Sequence, residues 1–599
     1  MSEKKHMIKM SESGQLSFGD ITKTLSDLPS FKTPKWEIID TKEQLEVIAL
    51  ELAKLNVIGL DIETTGLDPY FSDVRLIQIS PSEDLTYVLD MKKIKSLESL
   101  KHVFSAEKPV KVIHNAVFEQ KFLKYKYDLK FGNIFDTMLA NKLIYNGIYK
   151  SNSLQEVVKD QLGLFLDKDM QTSSWQDSDL SRMQLDYASK DSAILLPLRE
   201  KQIEKIIEYK LVEVAKLEFD CTKAVTEIEH NGVFIDKTIL DEFKKEIEER
   251  LQALTISLRK FFGDININSY KQISAVLASK GIYTENTSES ELKAYANEYP
   301  AIKDFIEYKS LYKKLTSTIE SLENNINKKT KRVHSSYNQM GATSGRMSSH
   351  NPNLQNIPRG EMRSIFRAPN NRKLIIADYS QIELRIIAEI SEDPTLINAF
   401  RSNQDIHNIT ASIITHKDID GITKDDRQKA KAVNFGLVYG MGAKGLVRYA
   451  SSSFNIEMSN VEAEEVYYKF FQKYEGIRIW HNKVKASSND IEYLETLSGR
   501  KRFFKSDKRH YAELFNTPVQ GTGADILKLA LIYLHEEFDN SSTMLINTVH
   551  DEVIVECDEN KAESISKIVN NLMVSAGNKY IKKVPVVVDV NIANTWAEK

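Results

Sequence analysis

Asp61 and Glu63 stand one residue apart inside the apolar run Val57-Ile58-Gly59-Leu60-Asp61-Ile62-Glu63. Such a run reads as a buried strand, and side chains alternate along a strand with period two, so both carboxylates emerge on one face. Side-by-side anions repel unless a cation lies between them, which makes the pair costly as structure and natural as a ligand set for a hard divalent ion. In Tyr187-Ala188-Ser189-Lys190-Asp191 the tyrosine and the acid lie four apart, on one side of a helix. That spacing lets Tyr187 orient a water while Asp191 holds metal. Between these segments lie His114-Asn115-Ala116-Val117-Phe118-Glu119 and Phe135-Asp136-Thr137, where Asp136 reads equally well as a ligand or as a helix N-cap or surface carboxylate.

A second acidic set lies downstream. Leu374-Ile375-Ile376-Ala377-Asp378 is an apolar run ending in an acid, and Met544 to Val555 places His550, Asp551 and Glu552 between two β-prone stretches. This reads as a hairpin with acids at its turn. If both strands share one sheet, Asp378 and Asp551 face each other and can hold two cations about 3.5–4 Å apart, a geometry suited to in-line phosphoryl displacement. Between them, Thr423-Lys424-Asp425-Asp426 offers a helix start, followed by Arg427, Lys431, Phe435 and Tyr439 at four-residue spacing. Each step of four advances about 40° around a helix, so the four side chains span roughly 120° of one face. Two cations ahead of two aromatics suit a nucleoside triphosphate, with Arg427 and Lys431 on the phosphates and Phe435 and Tyr439 against sugar and base. Gly436 weakens such a helix by about 1 kcal/mol relative to Ala, which favours a close backbone approach.

The elements that must position these groups follow from patterning. At 599 residues the chain calls for about three to five structural units. From about Trp36 to Glu200 apolar strands alternate with helical patterns, which reads as an α/β domain. Long helix-period patterns rich in Lys, Glu and Leu run from about Lys201 to Asn327, and mixed α/β character returns after Val333. Nothing matches a phosphate-binding P-loop, and no apolar run approaches the length needed to span a bilayer. Cys221 and Cys557 are too few for a disulfide framework or a thiolate zinc site, which leaves carboxylates as the metal ligands. The net charge of −4 requires segregated charge in any nucleic-acid binder, with Lys309 to Lys331 and Arg500 to Lys508 as candidate basic stretches. Residues 1–35 read as a flexible extension without an export signal. Within them, Gln15-Leu16-Ser17-Phe18 loosely resembles peptides that bind bacterial sliding clamps.

The ordered set Asp61-x-Glu63, Asn115 to Glu119 and Tyr187-x-x-x-Asp191 resembles the DEDD exonucleases of the proofreading type, in which two metals activate a water against the terminal phosphodiester. The family usually has Asp where this chain has Glu119, which puts the position of the second cation, and with it the strength of the activity, in question. The downstream motifs resemble the family A DNA polymerases, the group that includes bacterial DNA polymerase I and its Klenow fragment. They comprise Asp378-Tyr379-Ser380-Gln381-Ile382-Glu383-Leu384-Arg385, Arg427 to Gly440, His550-Asp551-Glu552, Thr343 to Ser349, Pro352 to Pro358 and Asn516-Thr517-Pro518-Val519-Gln520-Gly521.

This resemblance implies a multidomain α/β and α+β chain. An RNase H-like exonuclease domain over 36–203 precedes a right-handed polymerase domain over 204–599. Within the latter the thumb lies at about 210–335, the palm at about 336–394 and 536–599, and the fingers at about 395–535. It implies Asp378 and Asp551 as polymerase metal ligands with Glu552 in support, and Asp61, Glu63, Glu119 and Asp191 as exonuclease ligands, with two Mg²⁺ per site and Mn²⁺ as substitute. Glu383 becomes a steric gate against a ribose 2′-hydroxyl, and His407 joins Arg427, Lys431, Phe435 and Tyr439 at the nucleotide. Phe435 in place of Tyr implies discrimination against dideoxynucleotides. Arg346, Asn353, Gln355, Asn516, Gln520 and His550 are implied at the DNA, through minor-groove acceptors common to all correct pairs. The expected partners are primer-template DNA and deoxynucleotides, for a monomer in the cytoplasm of a bacterium or phage-infected host, or in an organelle. Full-length members often begin with a 5′ nuclease domain, for which this chain has no room, so flap removal is not expected. A single-subunit RNA polymerase shares the palm, but Glu383 and the attached exonuclease point to deoxynucleotides; a degenerate accessory subunit would have lost the acids.

Overall fold

The structure is a computed structural model and describes residues 28–148, 151–170, 173–177, 179–488, 491–504, 511–538 and 542–599. The segment Gln15 to Phe18 lies outside the described residues. The chain divides into two compact units, Met1–Ile144 with Tyr149–Lys210, and Tyr145–Ile148 with Leu211–Lys599.

In the first unit, strands β1 (Lys35–Ile39), β2 (Val57–Thr64), β3 (Val74–Ser82), β4 (Leu85–Asp90), β5 (Val110–Ile113) and β6 (Ile134–Asp136) form one sheet in the order β1-β4-β3-β2-β5-β6. The β2, β3 and β4 ladders are antiparallel, while β5 and β6 add in parallel beyond β2. Ile58, Leu60 and Ile62 are buried, as the alternation on β2 requires, whereas Asp61 and Glu63 are half-buried on the other face. Helix α1 (Ala116–Tyr127) follows β5, and α2 (Arg182–Ala193) opens on a capping box in which Ser181 and Gln184 satisfy each other's backbone N–H groups. A Cβ at Gly59 would lie 2.1 Å from the Ser192 carbonyl oxygen. Only glycine lets α2 come that close to β2, and the closeness brings Asp191 to Asp61. The N-terminal side of this unit is already docked before β1, since Phe31 N–H donates to the Phe165 carbonyl at 3.3 Å.

The second unit begins with helices α3 (Val212–Asn231) and α4 (Lys237–Phe262), the latter packed against Pro300–Lys314. Arg250 forms a two-pronged ion pair with Glu307 across that packing. A four-stranded sheet then gathers β7 (Arg372–Tyr379), β8 (Thr543–Val549), β9 (Glu552–Asp558) and β10 (Val588–Ala593) in the order β8-β9-β7-β10. All three ladders are antiparallel. Between β7 and β8 run α5 (Lys424–Val438), with Thr423 and Asp426 forming its capping box, and the long α6 (Tyr511–Glu537). Helix α7 (Ala562–Tyr580) packs on β7, β10 and α6. Among the described residues no helix is long and apolar enough to cross a membrane.

One expectation about charge is corrected. Arg500 is no part of an exposed basic stretch: it is fully buried, pairs with Glu218 and with Asp525, and shares Glu218 with the equally buried Lys528. Four charges that sum to zero have a place in a core only when they neutralise one another. Residues 505–508 of that stretch lie outside the described residues.

Candidate active sites

In the first unit Asp61, Glu63 and Asp191 each offer a carboxylate oxygen, all within 4.8 Å of one another. Burial first, then the neighbouring Asp191, pushes Asp61 up to about 7, with the Lys168 ammonium pulling the other way. Burial and the same neighbouring acids also raise Glu63. Lys168 Nζ donates to Asp191 Oδ2 at 2.6 Å and lies 3.3 Å from the Tyr187 hydroxyl. Glu119 on α1 lies outside the three-acid cluster yet close enough that Asp61 and Glu63 add to the effect of burial in raising it. Glu119 Oε2 and Asp191 Oδ1 are buried without a hydrogen-bond partner. Buried, unpartnered oxygens beside acids whose ionised forms are disfavoured by burial and mutual repulsion are a donor set that fits a hard divalent cation.

Asp136, open between ligand and cap, is a cap. Its Oδ2 accepts from Ala116 N–H at 2.8 Å, and its Oδ1 from the N–H groups of Asn115, Met138 and Leu139 at 3.3, 2.8 and 3.0 Å. One carboxylate thus closes the start of α1 and of helix Thr137–Ile144. His114 is likewise structural, held between the Thr137 hydroxyl and the Asn152 carbonyl, and burial lowers it to about 4.

In the second unit Asp378 lies opposite Glu552 in the β7–β9 ladder, and β8 and β9 are joined by His550 and Asp551 alone. His550 takes a positive φ of 58° at this tight turn. Burial first, and then the Asp378 carboxylate, pushes Asp551 up to about 7. Asp378 Oδ1 is buried without a partner, which again fits a cation. Glu552 is already engaged: Trp596 Nε1 donates to its Oε1 and Lys599 Nζ to its Oε2, each at 2.6 Å. The same Lys599 ammonium lies 2.6 Å from Asp378 Oδ2.

Arg427, Lys431, Phe435 and Tyr439 are all half-buried, while Ala432, Val433, Asn434, Gly436 and Leu437 between them are buried, so the four share the accessible face of α5 and its C-cap. Asp405 caps the next helix back, Ile406–Thr415, and holds the Arg427 guanidinium at 2.8 Å. Asn434 donates to His407 Nδ1 at 2.8 Å, Phe435 packs against that ring at 6.0 Å, and burial lowers His407 to about 4, so the ring is neutral. The close approach implied by Gly436 is to a neighbouring helix, because a Cβ there would meet Leu446 at 2.9 Å. Glu383 binds Arg346 with one oxygen and the Tyr439 hydroxyl with the other. Gln355 leans on the Thr548 carbonyl at 3.3 Å, Asn353 caps the short turn Leu354–Asn356, and Gln520 donates to Asn516 one turn back along α6. Arg346, Arg359 and Arg363 surround His550, which burial first and then these cations hold low.

Sequence patterning missed Lys168, Arg359, Arg363, Trp596 and Lys599. Arg363 stacks over the Trp596 ring at 4.1 Å, and Lys599 reaches an acid 221 positions away; neither lies at a spacing that marks chemistry.

Comparisons with known proteins match the two units to two different families. The family described as DNA polymerase family A matches residues 237–598, and the family described as 3'-5' exonuclease matches residues 36–208. The DNA polymerase I of Aquifex aeolicus (strain VF5) is 34% identical over 94% of this chain and 100% of its own length. That of Caldicellulosiruptor bescii is 30% identical over 95% of this chain and 70% of its own. The POL domain of Pol1 from M. smegmatis, in complex with DNA primer-template and dNTP, shares the fold with a TM-score of 0.83 over 94% of this chain and 99% of that one, at 24% identity. This chain belongs to DNA polymerase family A. It is a DNA-directed DNA polymerase whose first unit is a 3′-5′ exonuclease domain, so template-directed synthesis and proofreading reside on one polypeptide.

Proposed function

We propose that synthesis is centred on Asp378 and Asp551, with Glu552 in support, and proofreading on Asp61, Glu63, Glu119 and Asp191, with Tyr187 placing the attacking water. The observation that carries the reading is the unpartnered, buried Asp378 Oδ1 beside a raised Asp551 on one sheet. Two Mg²⁺ ions per site, or Mn²⁺ in their place, would be held by these acids and would neutralise charge on the phosphodiester and favour the deprotonated attacking oxygen. Arg427 and Lys431 bind the triphosphate, His407 offers a neutral ring beside it, and Phe435 and Tyr439 cover sugar and base. Glu383, anchored by Arg346 and Tyr439, closes the space a 2′-hydroxyl would need. Arg346, Asn353, Gln355, Asn516, Gln520 and His550 line the primer-template. Its solved relative from M. smegmatis binds primer-template and dNTP, which supports these partners. In this reading 336–394 and 536–599 are the palm, 395–535 the fingers, 210–335 the thumb and 36–203 the proofreading domain of a cytoplasmic monomer.

Primer extension and degradation of an end-labelled mismatched primer test the assignment. Asp378→Asn abolishes extension and leaves degradation intact; Asp61→Ala with Glu63→Ala does the reverse. Loss of both activities from either folded variant refutes two separate sites.

A further inference from the structure

Both acid clusters hold a lysine. Lys599 donates to Asp378 Oδ2 and Glu552 Oε2, each at 2.6 Å, and Lys168 donates to Asp191 Oδ2 at 2.6 Å while lying beside the Tyr187 hydroxyl. Neither ammonium arrives by accident of a long side chain. Lys599 is tethered three residues after Trp596, which is only 1% exposed, packs edge-on to Phe366 and donates from its backbone N–H to the Phe366 carbonyl. The segment between is closed by Glu598, whose carboxylate accepts from Thr595 N–H at 2.9 Å. Lys168 lies over the Tyr187 ring at 5.2 Å, a second hold on its position.

We propose that Lys599 and Lys168 are tethered counter-ions, one in each acid cluster, which the divalent cations must displace, so that a lysine of the same unit sets the metal affinity of each site. The inference rests on the proposed assignment of these acids as cation ligands. A carboxylate oxygen bonded to an ammonium cannot also offer that lone pair to a divalent ion, and two cations at one oxygen pair repel. The lysine has the properties the task needs: a compact point charge on a flexible four-carbon stem that can swing aside without unfolding anything. Until it is displaced, it keeps like-charged acids assembled that would otherwise drive each other apart. At the polymerase site the cations that displace the ammonium would also meet the triphosphate, so displacement would couple cation loading to nucleotide loading.

The test uses the full chain, Mn²⁺ as probe and calorimetry as readout. In a chain carrying Asp61→Ala and Glu63→Ala, Mn²⁺ reports the polymerase acids. There Lys599→Met lowers the half-saturating Mn²⁺ concentration at least about tenfold, a shift of about 1.4 kcal/mol, and Lys599→Arg, which keeps the charge, stays within about threefold of the parent. In chelator, Lys599→Met unfolds at a lower temperature than the parent, and Mn²⁺ reverses the deficit. In a chain carrying Asp378→Asn, Lys168→Met tightens Mn²⁺ binding at the exonuclease acids in the same way. An unchanged or weaker Mn²⁺ affinity in both methionine variants overturns the inference and leaves the metal sites standing. Absence of saturable binding in the parent overturns the metal assignment itself.

Discussion

In the proposed reading the two acid clusters serve related chemistry, and they are built differently. The exonuclease acids come from a rigid strand and a helix pressed onto it through Gly59, with a further acid, Glu119, from another helix. The polymerase acids come from the end of β7 and from a two-residue turn, and one of the three, Glu552, is held by Trp596, Arg363 and Lys599. In the proposed reading the proofreading site meets a substrate that brings only the oxygens of one phosphodiester and a water. At the polymerase site the substrate brings triphosphate oxygens, and Mg²⁺ sites of that kind need only one or two carboxylates from the protein. Fewer free acids at the second site is therefore what its substrate permits.

The comparison can be broken first at Glu119. If four acids serve hydrolysis, Glu119→Ala lowers single-turnover degradation of a mismatched primer by roughly 10²- to 10³-fold, the scale on which losing one electrostatic stabiliser of a transition state is felt. Primer extension by the same variant stays at the parent rate. A degradation rate within a few-fold of the parent would reduce the site to the three acids that cluster most tightly.

The polymerase side is sharpened by Glu383. Its carboxylate is fixed from both sides by Arg346 and Tyr439, so its position, beside the sugar in the proposed reading, is set by the protein before any nucleotide binds. Glu383→Ala opens that space, and selectivity for deoxy- over ribonucleotides falls by about 10²-fold, the order of discrimination a packed pocket achieves against one extra hydroxyl. Competition between the two nucleotides at one template position measures it. Unchanged selectivity takes the gate away from Glu383.

What the residue order disclosed, and what it did not, follows from the range of the forces involved. Asp61 with Glu63, Tyr187 with Asp191, and Arg427 through Tyr439 were legible because strand and helix periods convert sequence spacing directly into a shared face. The hairpin around His550 was legible because two β-prone runs flank His550, Asp551 and Glu552, although Glu552 is the first residue of β9 rather than part of the turn. Lys168 and Lys599 were not, because a long cation reaches its partner through tertiary packing that no local period encodes. Arg500 misled for the same reason: beside Lys501, Arg502 and Lys505 it looks like surface charge, and its partners Asp525 and Glu218, 25 and 282 positions away, show that it belongs to the core. The near-neutral chain hides such pairs, since charge composition cannot tell a solvated lysine from a neutralised one.

The smallest effect decides the other half of the Glu119 question. Asp136 is buried and lies near enough to Glu119 to help raise it, but its oxygens already accept four backbone N–H groups at the starts of two helices. Asp136→Asn keeps the shape and places an amide NH₂ against a backbone donor, whichever way it turns, because N–H groups face both oxygens. The expected result is a loss of about 1–2 kcal/mol of stability in the first unit, the usual worth of a charged helix cap. Differential scanning calorimetry would read it as a fall of about 2–4 °C for each kcal/mol lost in a unit of this size. Single-turnover degradation below the melting range should stay within a few-fold of the parent. A 10²-fold loss of degradation with unaltered melting would instead make Asp136 the ligand and Glu119 a bystander, and would require the start of α1 to release the carboxylate when a cation binds.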